Sequence, residues 1–467
     1  MALTKQDMKM FEEIKEEMKL VYQHDSRPWM IGFSGGKDST LLVYLVWEML
    51  AALPKKDITK KVYIVSSDTG VENPVVKNYM HKMSNLIGEN GTELGIISKI
   101  ILPPVEKTFW SCVIGLGYPT PEPPGFRWCT DKLKIKPINE FTVKTIKENG
   151  EVVMLLGVRK AESSYRARGI KAREVEGKLL IKHTDIENAY VYNPLTEIPN
   201  DKVWEYLLKG NALTPWGADC KYLFQLYQGE NLGEEQSTLG EIDKSKIAVT
   251  GNSRFGCWIC TMVAEDKSLK NFIDKGCKEL IPLRDFRNWL VEIRNSPELR
   301  DTKRRNGAVY VKENGELGLG PFTMKGRITI LRKLLQLQKD TGLELITIDE
   351  LKAIDKIWES EGDLYRRTLV DTYFEIIGEK LPWDIYRTPM YDAETIALIK
   401  QKCEEFQIDY EMFTKLLIAI EENKHNTRSN KLMKTFDRII NEGWLHFEAL
   451  QEGMKVLENE NSANPAI

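Results

Sequence analysis

Short apolar runs alternate with segments of helical period over the first part of the chain. Four of these runs predict buried strands, at residues 29–32, 61–67, 97–102 and 152–156. Strands that alternate with helices are typical of an α/β fold with a parallel sheet flanked by helices. From about residue 325 the apolar positions keep a helical period, which predicts a C-terminal helical domain.

Changes in this pattern predict three regions along the chain. They are an α/β domain at 1–215, a cysteine-containing region at 216–320 and a helical domain at 321–467. Residues 1–21 predict an amphipathic helix that packs beside the first strand, and the glycines at 315–320 are typical of a linker. Prolines and glycines at 115–125 predict a long loop or lid, and the polar tail 458–467 is typical of disorder.

The turn after the first strand has the composition of a phosphate-binding loop. Its residues are Ser34, Gly35, Gly36, Lys37, Asp38, Ser39 and Thr40. The two glycines carry no side chain that would block an anion, and the free N–H groups at the start of the following helix favour a negative charge. The lysine adds a cation, and the three hydroxyl residues add donors.

This loop differs from a Walker A loop, which has glycine where this chain has Ile31 and serine or threonine where it has Asp38. The alternative to a phosphate site is a chance glycine turn. The position of the loop between a buried strand and a helix favours the phosphate site.

Further candidates follow two later strands. Asp68 and Thr69 stand after the second strand, at the edge where a parallel sheet binds ligands, and a helix N-cap is the alternative interpretation. Gly157, Arg159 and Arg166 follow the fourth strand. Arginines at this edge suit a bidentate grip on phosphoryl oxygens, and a solvated charged helix start is the alternative.

Seven cysteines stand in a chain without a recognisable secretion signal, which favours metal binding or redox chemistry over a disulfide framework. Cys257 and Cys260 have the spacing that chelates one metal ion or cluster, and a thioredoxin-like dithiol is the alternative. Cys129 stands among cations that we expect to lower its thiol pKa, although a lone cysteine is more often a small buried apolar residue. If Cys129, Cys257 and Cys260 bind one metal ion or cluster, a fourth ligand would be Cys277, Cys220 or a non-protein group.

Composition limits the remaining function classes. The 467 residues are 42% hydrophobic and carry a net charge of −3, so any nucleic-acid surface is a local patch or comes from a partner. The longest apolar run, 41–53, is interrupted by Glu48 and is too short to span a bilayer. We therefore expect a cytoplasmic protein that does not bind membranes. The five histidines are scattered, and we interpret them as structural or surface residues.

Four segments in one order resemble the phosphoadenosine-phosphosulfate reductase family of the ATP-pyrophosphatase, or PP-loop, superfamily. They read SGGKDST from 34, SSDTGVENP from 66, GVRKAESSYRA from 157 and YNPLTEIPNDKVW from 192. Within that family the chain resembles the DndC family of DNA phosphorothioation proteins. The segments that carry this second resemblance read RWCTDKLKIKP from 127, GNSRFGCWICTMVAEDKS from 251, LGPFTMKGRITILRKLL from 319 and DELKAIDKIW from 349.

The resemblance implies an adenine nucleotide alpha-hydrolase-like fold and an enzyme that replaces a non-bridging oxygen of a DNA phosphate with sulfur. It implies that the enzyme uses Mg²⁺ and cleaves ATP between the α and β phosphates. It also implies an iron–sulfur cluster of the 4Fe-4S kind. The implied partners are DNA, a cysteine desulfurase as sulfur donor and the other phosphorothioation proteins.

The family's roles can be carried onto this chain residue by residue. The residues that would hold ATP are Ser34, Gly35, Gly36, Lys37, Asp38, Ser39, Thr40, Asp68, Thr69 and Gly157. Those that would act in catalysis are Lys37, Asp38, Arg159 and Arg166. The cluster ligands would be Cys129, Cys257 and Cys260, with Cys277 or Cys220 as a fourth. DndC-type sequences carry further cysteines shortly before residue 251, where this chain has Thr250, so the fourth ligand and the cluster nuclearity stay open.

Three other functions compete with this interpretation. A sulfonucleotide reductase relies on a cysteine near the C terminus, whereas the last cysteine here is Cys403. The iron–sulfur reductases also carry a Cys-Cys pair where this chain has Trp128 and Cys129. A tRNA-thiolating ATP pyrophosphatase shares the loop and a three-cysteine cluster. A non-catalytic nucleotide-binding subunit of a defence complex would also keep the loop intact.

Overall fold

The computed structural model describes residues 3–123, 126–162, 168, 178–228, 256–274, 276–305, 308, 309, 311, 318–423 and 432–441. The chain divides into two compact units, each built from two stretches of sequence. Unit 1 comprises Met1–Pro103 and Gly125–Arg284, and unit 2 comprises Pro104–Pro124 and Asp285–Ile467. The three predicted regions, with boundaries at 215 and 320, do not follow this division and stay a prediction.

Unit 1 contains the sheet. Its strands are β1 (Trp29–Gly32), β2 (Val62–Ser67), β3 (Ile96–Ile101), β4 (Val152–Leu155), β5 (Ile181–Lys182) and β6 (Ala189–Tyr192). Its described helices are α1 (Lys5–His24), α2 (Lys37–Ala51), α3 (Pro74–Asn90), α4 (Lys136–Asn149), α5 (Asn200–Leu207), α6 (Cys220–Gln228) and α7 (Lys267–Asp274). The predicted α/β fold and its four strands are confirmed, and β5 with β6 forms an additional edge hairpin.

The sheet has the order β3-β2-β1-β4-β6-β5, and every neighbouring pair is parallel except β5 with β6. Trp29 of β1 pairs with Val62 on one side and with Val153 on the other. The chain moves outward from β1 to β2 and β3, and then returns to place β4 on the opposite side of β1. The loop after β1 therefore lies at the topological switch point, where open parallel sheets bind ligands.

Apolar side chains fill both faces of the central strands. Ile31, Ile64 and Leu155 are fully buried on one face, and on the other Tyr63 packs edge-on against Phe141 of α4, with 5.9 Å between ring centroids. Helix α2 is buried on nearly all sides, as expected of a helix that is apolar all round. The loop between β1 and α2 is therefore held between two core elements.

Unit 2 is helical in the part that the structure describes. Its helices are α9 (Met324–Thr341), α10 (Ile348–Glu361), α11 (Thr368–Ile377), α12 (Ala393–Glu405), α13 (Tyr410–Asn423) and α14 (432–441), and α8 (Ile281–Ile293) contains the boundary between the units. Helix α10 begins with a capping box in which Thr347 and Glu350 satisfy each other's backbone N–H groups. The predicted C-terminal helical region is confirmed. None of the described helices is long and apolar enough to cross a bilayer.

The segment 104–124 belongs to the core of unit 2 although it stands between two stretches of unit 1 in sequence. The Trp358 indole N–H donates to the Ile114 carbonyl at 2.8 Å, and the Trp110 indole N–H donates to the Leu345 carbonyl at 2.8 Å. The predicted loop or lid at 115–125 thus begins inside a packed element, the single-turn helix Ser111–Gly115. Residues 315–317 of the predicted linker and the whole predicted tail lie outside the described residues.

We expect Trp358→Phe to lower the free energy of unfolding by about 2–3 kcal/mol, because it leaves the buried Ile114 carbonyl without its donor and leaves space beside a smaller ring. Chemical denaturation followed by circular dichroism measures this change. Tyr386→Phe is the control, because Tyr386 is 79% exposed and its variant should unfold like the wild type. Equal stability of the two variants would contradict this account of the unit 2 core.

Candidate nucleotide and thiol site

The loop after β1 is shaped by backbone geometry and two serine side chains. Gly35 has a φ of 72°, in the left-handed region that favours glycine. The Ser39 hydroxyl accepts the Ser34 N–H at 3.2 Å and donates to the Gly36 carbonyl at 2.9 Å. The turn is therefore fixed in shape, and the first N–H groups of α2 point into it as in a phosphate cradle.

Arg159 holds Asp38 from the end of β4. Its guanidinium donates from Nε to Asp38 Oδ1 at 2.7 Å, and from the other two nitrogens to the Ile198 carbonyl and to Asn200 Oδ1 at 2.9 and 3.2 Å. The side chain is 1% exposed. The structure thus gives Arg159 a positioning role in the loop, and its predicted contact with phosphate stays a prediction. Arg166 lies outside the described residues.

Gly157 lets the end of β4 approach the loop. A Cβ at this position would lie 3.0 Å from the Asp38 carbonyl oxygen and 3.3 Å from the Ser39 nitrogen. Backbone atoms cannot give way as a flexible side chain can, so glycine is needed here for close packing. The predicted contact of Gly157 with ATP stays a prediction.

Asp68 lies at the carboxyl end of β2, next to the loop. It is 1% exposed; its Oδ1 accepts the Gly70 N–H at 2.8 Å and its Oδ2 lies 2.8 Å from His81 Nε2. No sequence signal indicates this contact, because His81 lies on α3, 13 residues after Asp68. Lys77 stands four residues earlier, 3.8 Å from the same oxygen, and this spacing places both side chains on one helix face.

The Cys-x-x-Cys turn is attached to the segment that follows β2. The Trp258 N–H donates to the Val71 carbonyl at 3.1 Å, and the Asn73 N–H donates to the Gly256 carbonyl at 3.4 Å. These bonds form a short antiparallel bridge between Glu72 and Cys257. The turn therefore lies at the same edge of the sheet as Asp68.

Side-chain contacts follow from this bridge. The Cys257 sulfur lies 3.6 Å from the Thr69 hydroxyl and 3.8 Å from Glu72 Oε2. Glu72 Oε1 also accepts from the Thr69 hydroxyl at 3.0 Å and pairs with the Lys134 ammonium at 3.1 Å. Neither Glu72 nor Lys134 stands out in the sequence, because Lys134 and Cys257 lie 62 and 185 residues after Glu72 and only the fold joins them.

Cys260 raises the pKa of two other thiols in this region. Burial and then Glu72 raise the pKa of the Cys257 thiol, and Cys260 adds to the shift. Burial and then Cys260 raise the pKa of the Cys129 thiol. Cys260 thus contributes to the shift of both other thiols, and the role of Cys129, Cys257 and Cys260 as cluster ligands stays a prediction.

The expected lowering of the Cys129 pKa is wrong. Neighbouring cations were expected to favour the thiolate, but burial and the nearby Cys260 raise the pKa instead. Burial would also lower the pKa of the Lys134 ammonium, yet Glu72 and Cys257 raise it above its ordinary value, so Lys134 stays a cation beside the sulfurs. Thiols of this kind lose their protons when a metal binds.

The three thiols supply sulfur donors of the kind that iron–sulfur clusters use. Across the described residues, no three His, Cys, Asp or Glu side chains meet closely enough to hold one metal ion. Three soft sulfur donors with a nearby cation are a donor set typical of iron–sulfur centres, in which the cysteines bind different irons. The residues therefore fit such a cluster in chemistry.

Cys220 and Cys277, the two candidates for a fourth ligand, lie near tyrosine side chains. Burial raises the pKa of the Cys220 thiol to about 12, and this thiol in turn raises the pKa of Tyr44 and Tyr79. Cys277 is buried at the turn before α8 and raises the pKa of Tyr222. The identity of the fourth ligand stays a prediction.

The family model described as the phosphoadenosine phosphosulfate reductase domain matches residues 28–262, just over half of the 467 residues. The chain belongs to this family. The matched range holds the loop, Asp68, Arg159 and the Cys-x-x-Cys turn. Membership of the phosphoadenosine phosphosulfate reductase family indicates a nucleotide-using, sulfur-related enzyme, and the resemblance seen in the sequence is confirmed at that level.

The chain is also 30% identical over 205 residues to an uncharacterized protein of Methanocaldococcus jannaschii. The match covers 42% of this chain and 34% of that protein, so the chain spans about a third of the length of this relative.

Two solved structures resemble parts of the chain distantly. The U34-tRNA thiolase of Methanococcus maripaludis with its [4Fe-4S] cluster is 16% identical, with 56% of this chain and 84% of that chain covered and a TM-score of 0.28. The FMN adenylyltransferase of Candida glabrata, in complex with FAD and inorganic pyrophosphate, is 12% identical, with 61% and 85% covered and a TM-score of 0.30. These scores are too low to carry an argument about this chain's chemistry.

We expect Arg159→Ala to lower the free energy of unfolding by about 3–5 kcal/mol, because it leaves Asp38 without its buried partner. Chemical denaturation measures the change. The control is Lys160→Ala, at the next residue, where a more exposed pair with Glu197 should contribute about 1 kcal/mol or less. A loss no larger in Arg159→Ala than in Lys160→Ala would contradict the positioning role.

Proposed function

We propose that this chain is the ATP-dependent sulfur-inserting enzyme of DNA phosphorothioation, of the DndC type. It activates a phosphate of the DNA backbone with ATP and exchanges a non-bridging oxygen for sulfur. The coarser part of the proposal, a nucleotide-using and sulfur-related enzyme, follows from the family. The DNA substrate is supported by the sequence segments from residues 127, 251 and 319 that resemble the DndC family.

One observation supports the proposed coupling of ATP cleavage to sulfur transfer. The phosphate loop and the thiol group lie at the same edge of one sheet, since β1 leads into the loop and the segment after β2 holds the Cys-x-x-Cys turn by backbone hydrogen bonds. Thr69, which directly follows Asp68, touches the Cys257 sulfur. This arrangement supports a single site that handles both a phosphate and a sulfur group.

In the first step a DNA phosphate oxygen attacks the α phosphorus of ATP, and the bond to the β phosphate breaks. Pyrophosphate leaves with the electron pair, and the DNA phosphate becomes an adenylate. The loop N–H groups and Lys37 neutralise the charge of the departing pyrophosphate, and catalysis comes from position and charge. Asp38 and Asp68 are the carboxylates available to Mg²⁺, since each oxygen keeps a lone pair beyond its present partner.

In the second step a sulfur nucleophile at the oxidation level of sulfide attacks the DNA phosphorus. The new phosphorus–sulfur bond replaces the bond to the AMP oxygen, and AMP leaves with that electron pair. Cys129, Cys257 and Cys260 would hold the iron–sulfur cluster, whose chemistry is to bind a sulfur atom at iron. Lys134 keeps a positive charge beside the thiols and favours an anionic sulfur there. A cysteine desulfurase delivers the sulfur as a persulfide, and a thiol reductant supplies the two electrons that release it at the sulfide level and is itself oxidised to a disulfide. The other phosphorothioation proteins are the remaining partners.

Sulfonucleotide reduction is the second candidate, because the matching family is described by that substrate. The two functions differ in product: a reductase releases sulfite from a free sulfonucleotide, whereas the proposed enzyme leaves sulfur in DNA. Assays for both products, and for thionucleosides in tRNA, on one purified preparation distinguish the candidates. Sulfite or thiolated tRNA as the product, with no phosphorothioate in DNA, would overturn the proposal.

Lys37→Ala should lower both pyrophosphate release and the phosphorothioate content of DNA by about a hundredfold or more, because the loop loses the cation that faces the phosphates. Pyrophosphate release and mass spectrometry of nuclease-digested DNA measure the two effects. Lys55→Ala is the control, since the Lys55 side chain is 84% exposed and pairs with Glu93 on the surface. Normal phosphorothioate levels in Lys37→Ala would refute the catalytic use of the loop.

Cys260→Ser should lose the visible absorption, iron and sulfide of protein purified without oxygen, because it removes one of the three grouped thiols. Cys403→Ser is the control: this thiol lies buried on α12 of unit 2, and its variant should keep its colour. Cys220→Ser and Cys277→Ser, measured in parallel, identify the fourth ligand. Full iron content in Cys260→Ser would show that the ligand set is wrong.

A further inference from the structure

The phosphate loop is covered by the chain itself. Gly35 and Gly36 are buried, and Lys37 is 5% exposed. A phosphate bound at the start of α2 must reach these backbone N–H groups. The group of the chain that covers the loop must therefore move away when a phosphate binds, or bind beside it.

The group that covers the N–H of Lys37 is the hydroxyl of Tyr227, near the end of α6. It accepts this N–H at 3.1 Å, and a Cβ on Gly36 would lie only 2.9 Å from the same oxygen. A phosphate oxygen that accepts the Lys37 N–H would lie about 2.9 Å from the nitrogen in a similar direction. Two oxygens cannot occupy that position together.

The Tyr227 ring also faces the lysine side chain. The Lys37 ammonium lies 5.3 Å from the ring centroid and 3.1 Å from Asp38 Oδ2. Both the N–H and the charge that would bind a phosphate are thus directed toward groups of the chain. A charged phosphate is the stronger acceptor, because hydrogen bonds to an anion are roughly twice as strong as neutral ones.

Aromatic contacts help to hold α6 in this position. Tyr227 and Phe224 pack edge-on against Trp204 of α5, with 5.2 and 5.0 Å between ring centroids. Tyr222 lies 5.7 Å from Tyr79 of α3, whose ring in turn lies beside Gly35. Helix α6 therefore touches the loop region both at Tyr227 and, through Tyr79, at Gly35.

We propose that Tyr227 and the nucleotide phosphate compete for one backbone position at the start of α2, so that nucleotide binding moves the end of α6 off the loop. The proposal rests on the proposed function only in that the loop binds a nucleotide; it is independent of the sulfur chemistry and of DNA. Tyr227 acts as a positioning residue that sets nucleotide affinity.

The first test is calorimetry with MgATP, and with inorganic pyrophosphate as a phosphate-only probe. Tyr227→Phe keeps the ring and removes the competing oxygen, so it should bind both probes roughly two- to tenfold more tightly, the range of one neutral hydrogen bond. Tyr222→Phe, on the same helix, is the matched control and should bind like the wild type. Unchanged or weaker binding by Tyr227→Phe overturns the proposal, and weaker binding would make Tyr227 a phosphate ligand instead.

The second test uses the wild type alone. Ligands usually slow hydrogen exchange around their site, but competition predicts that MgATP slows exchange at residues 34–40 and speeds it at 220–228. Slower or unchanged exchange at 220–228 overturns the proposal. Absence of MgATP binding in every variant would overturn both this proposal and the proposed function, whereas ATP binding without DNA sulfur incorporation would overturn the DNA function alone.

Discussion

The buried ion pair between Arg159 and Asp38 is the interaction on which the site depends. It joins the end of β4 to the first turn of α2 across the switch point of the sheet, and Gly157 allows the two backbones to meet there. Such a pair is costly to break, because the Arg159 guanidinium is 1% exposed and would stay desolvated if it lost its carboxylate. The loop is thus fixed from two neighbouring strands, and its N–H groups are oriented before any ligand arrives.

The second constraint is the short bridge between Glu72 and Cys257. It joins residues 185 apart in sequence and sets one thiol of the Cys-x-x-Cys turn beside Thr69. Backbone hydrogen bonds fix this attachment more firmly than side chains alone would, because they determine the register of the turn against the segment after β2. The carboxylate of Glu72 and the ammonium of Lys134 then balance charge next to the sulfurs.

The sequence pattern predicted those features that depend on neighbouring residues. The apolar run at β1, the glycines of the loop and the helix that follows are all readable from neighbouring residues, and so is the Cys-x-x-Cys turn. The partners of Arg159, the approach of His81 to Asp68 and the cover provided by Tyr227 depend on residues far apart in sequence, which no periodicity encodes. The Cys129 pKa was wrongly predicted for a related reason: charge is visible in a sequence, whereas burial is decided by the whole fold. The hairpin β5–β6 was missed because its first strand has only two residues.

The assignment of residues 104–124 to unit 2 has a consequence for synthesis on the ribosome. The Ile114 carbonyl meets its indole donor 244 residues later, at Trp358. This apolar stretch, with Phe109 and Trp110, therefore emerges long before the helices that bury it, while the surrounding strands can already associate. Closing so large a loop is entropically slow, and exposed aromatic residues invite aggregation during the delay. The nascent chain therefore cannot bury this stretch by its native contacts until α10 has left the exit tunnel.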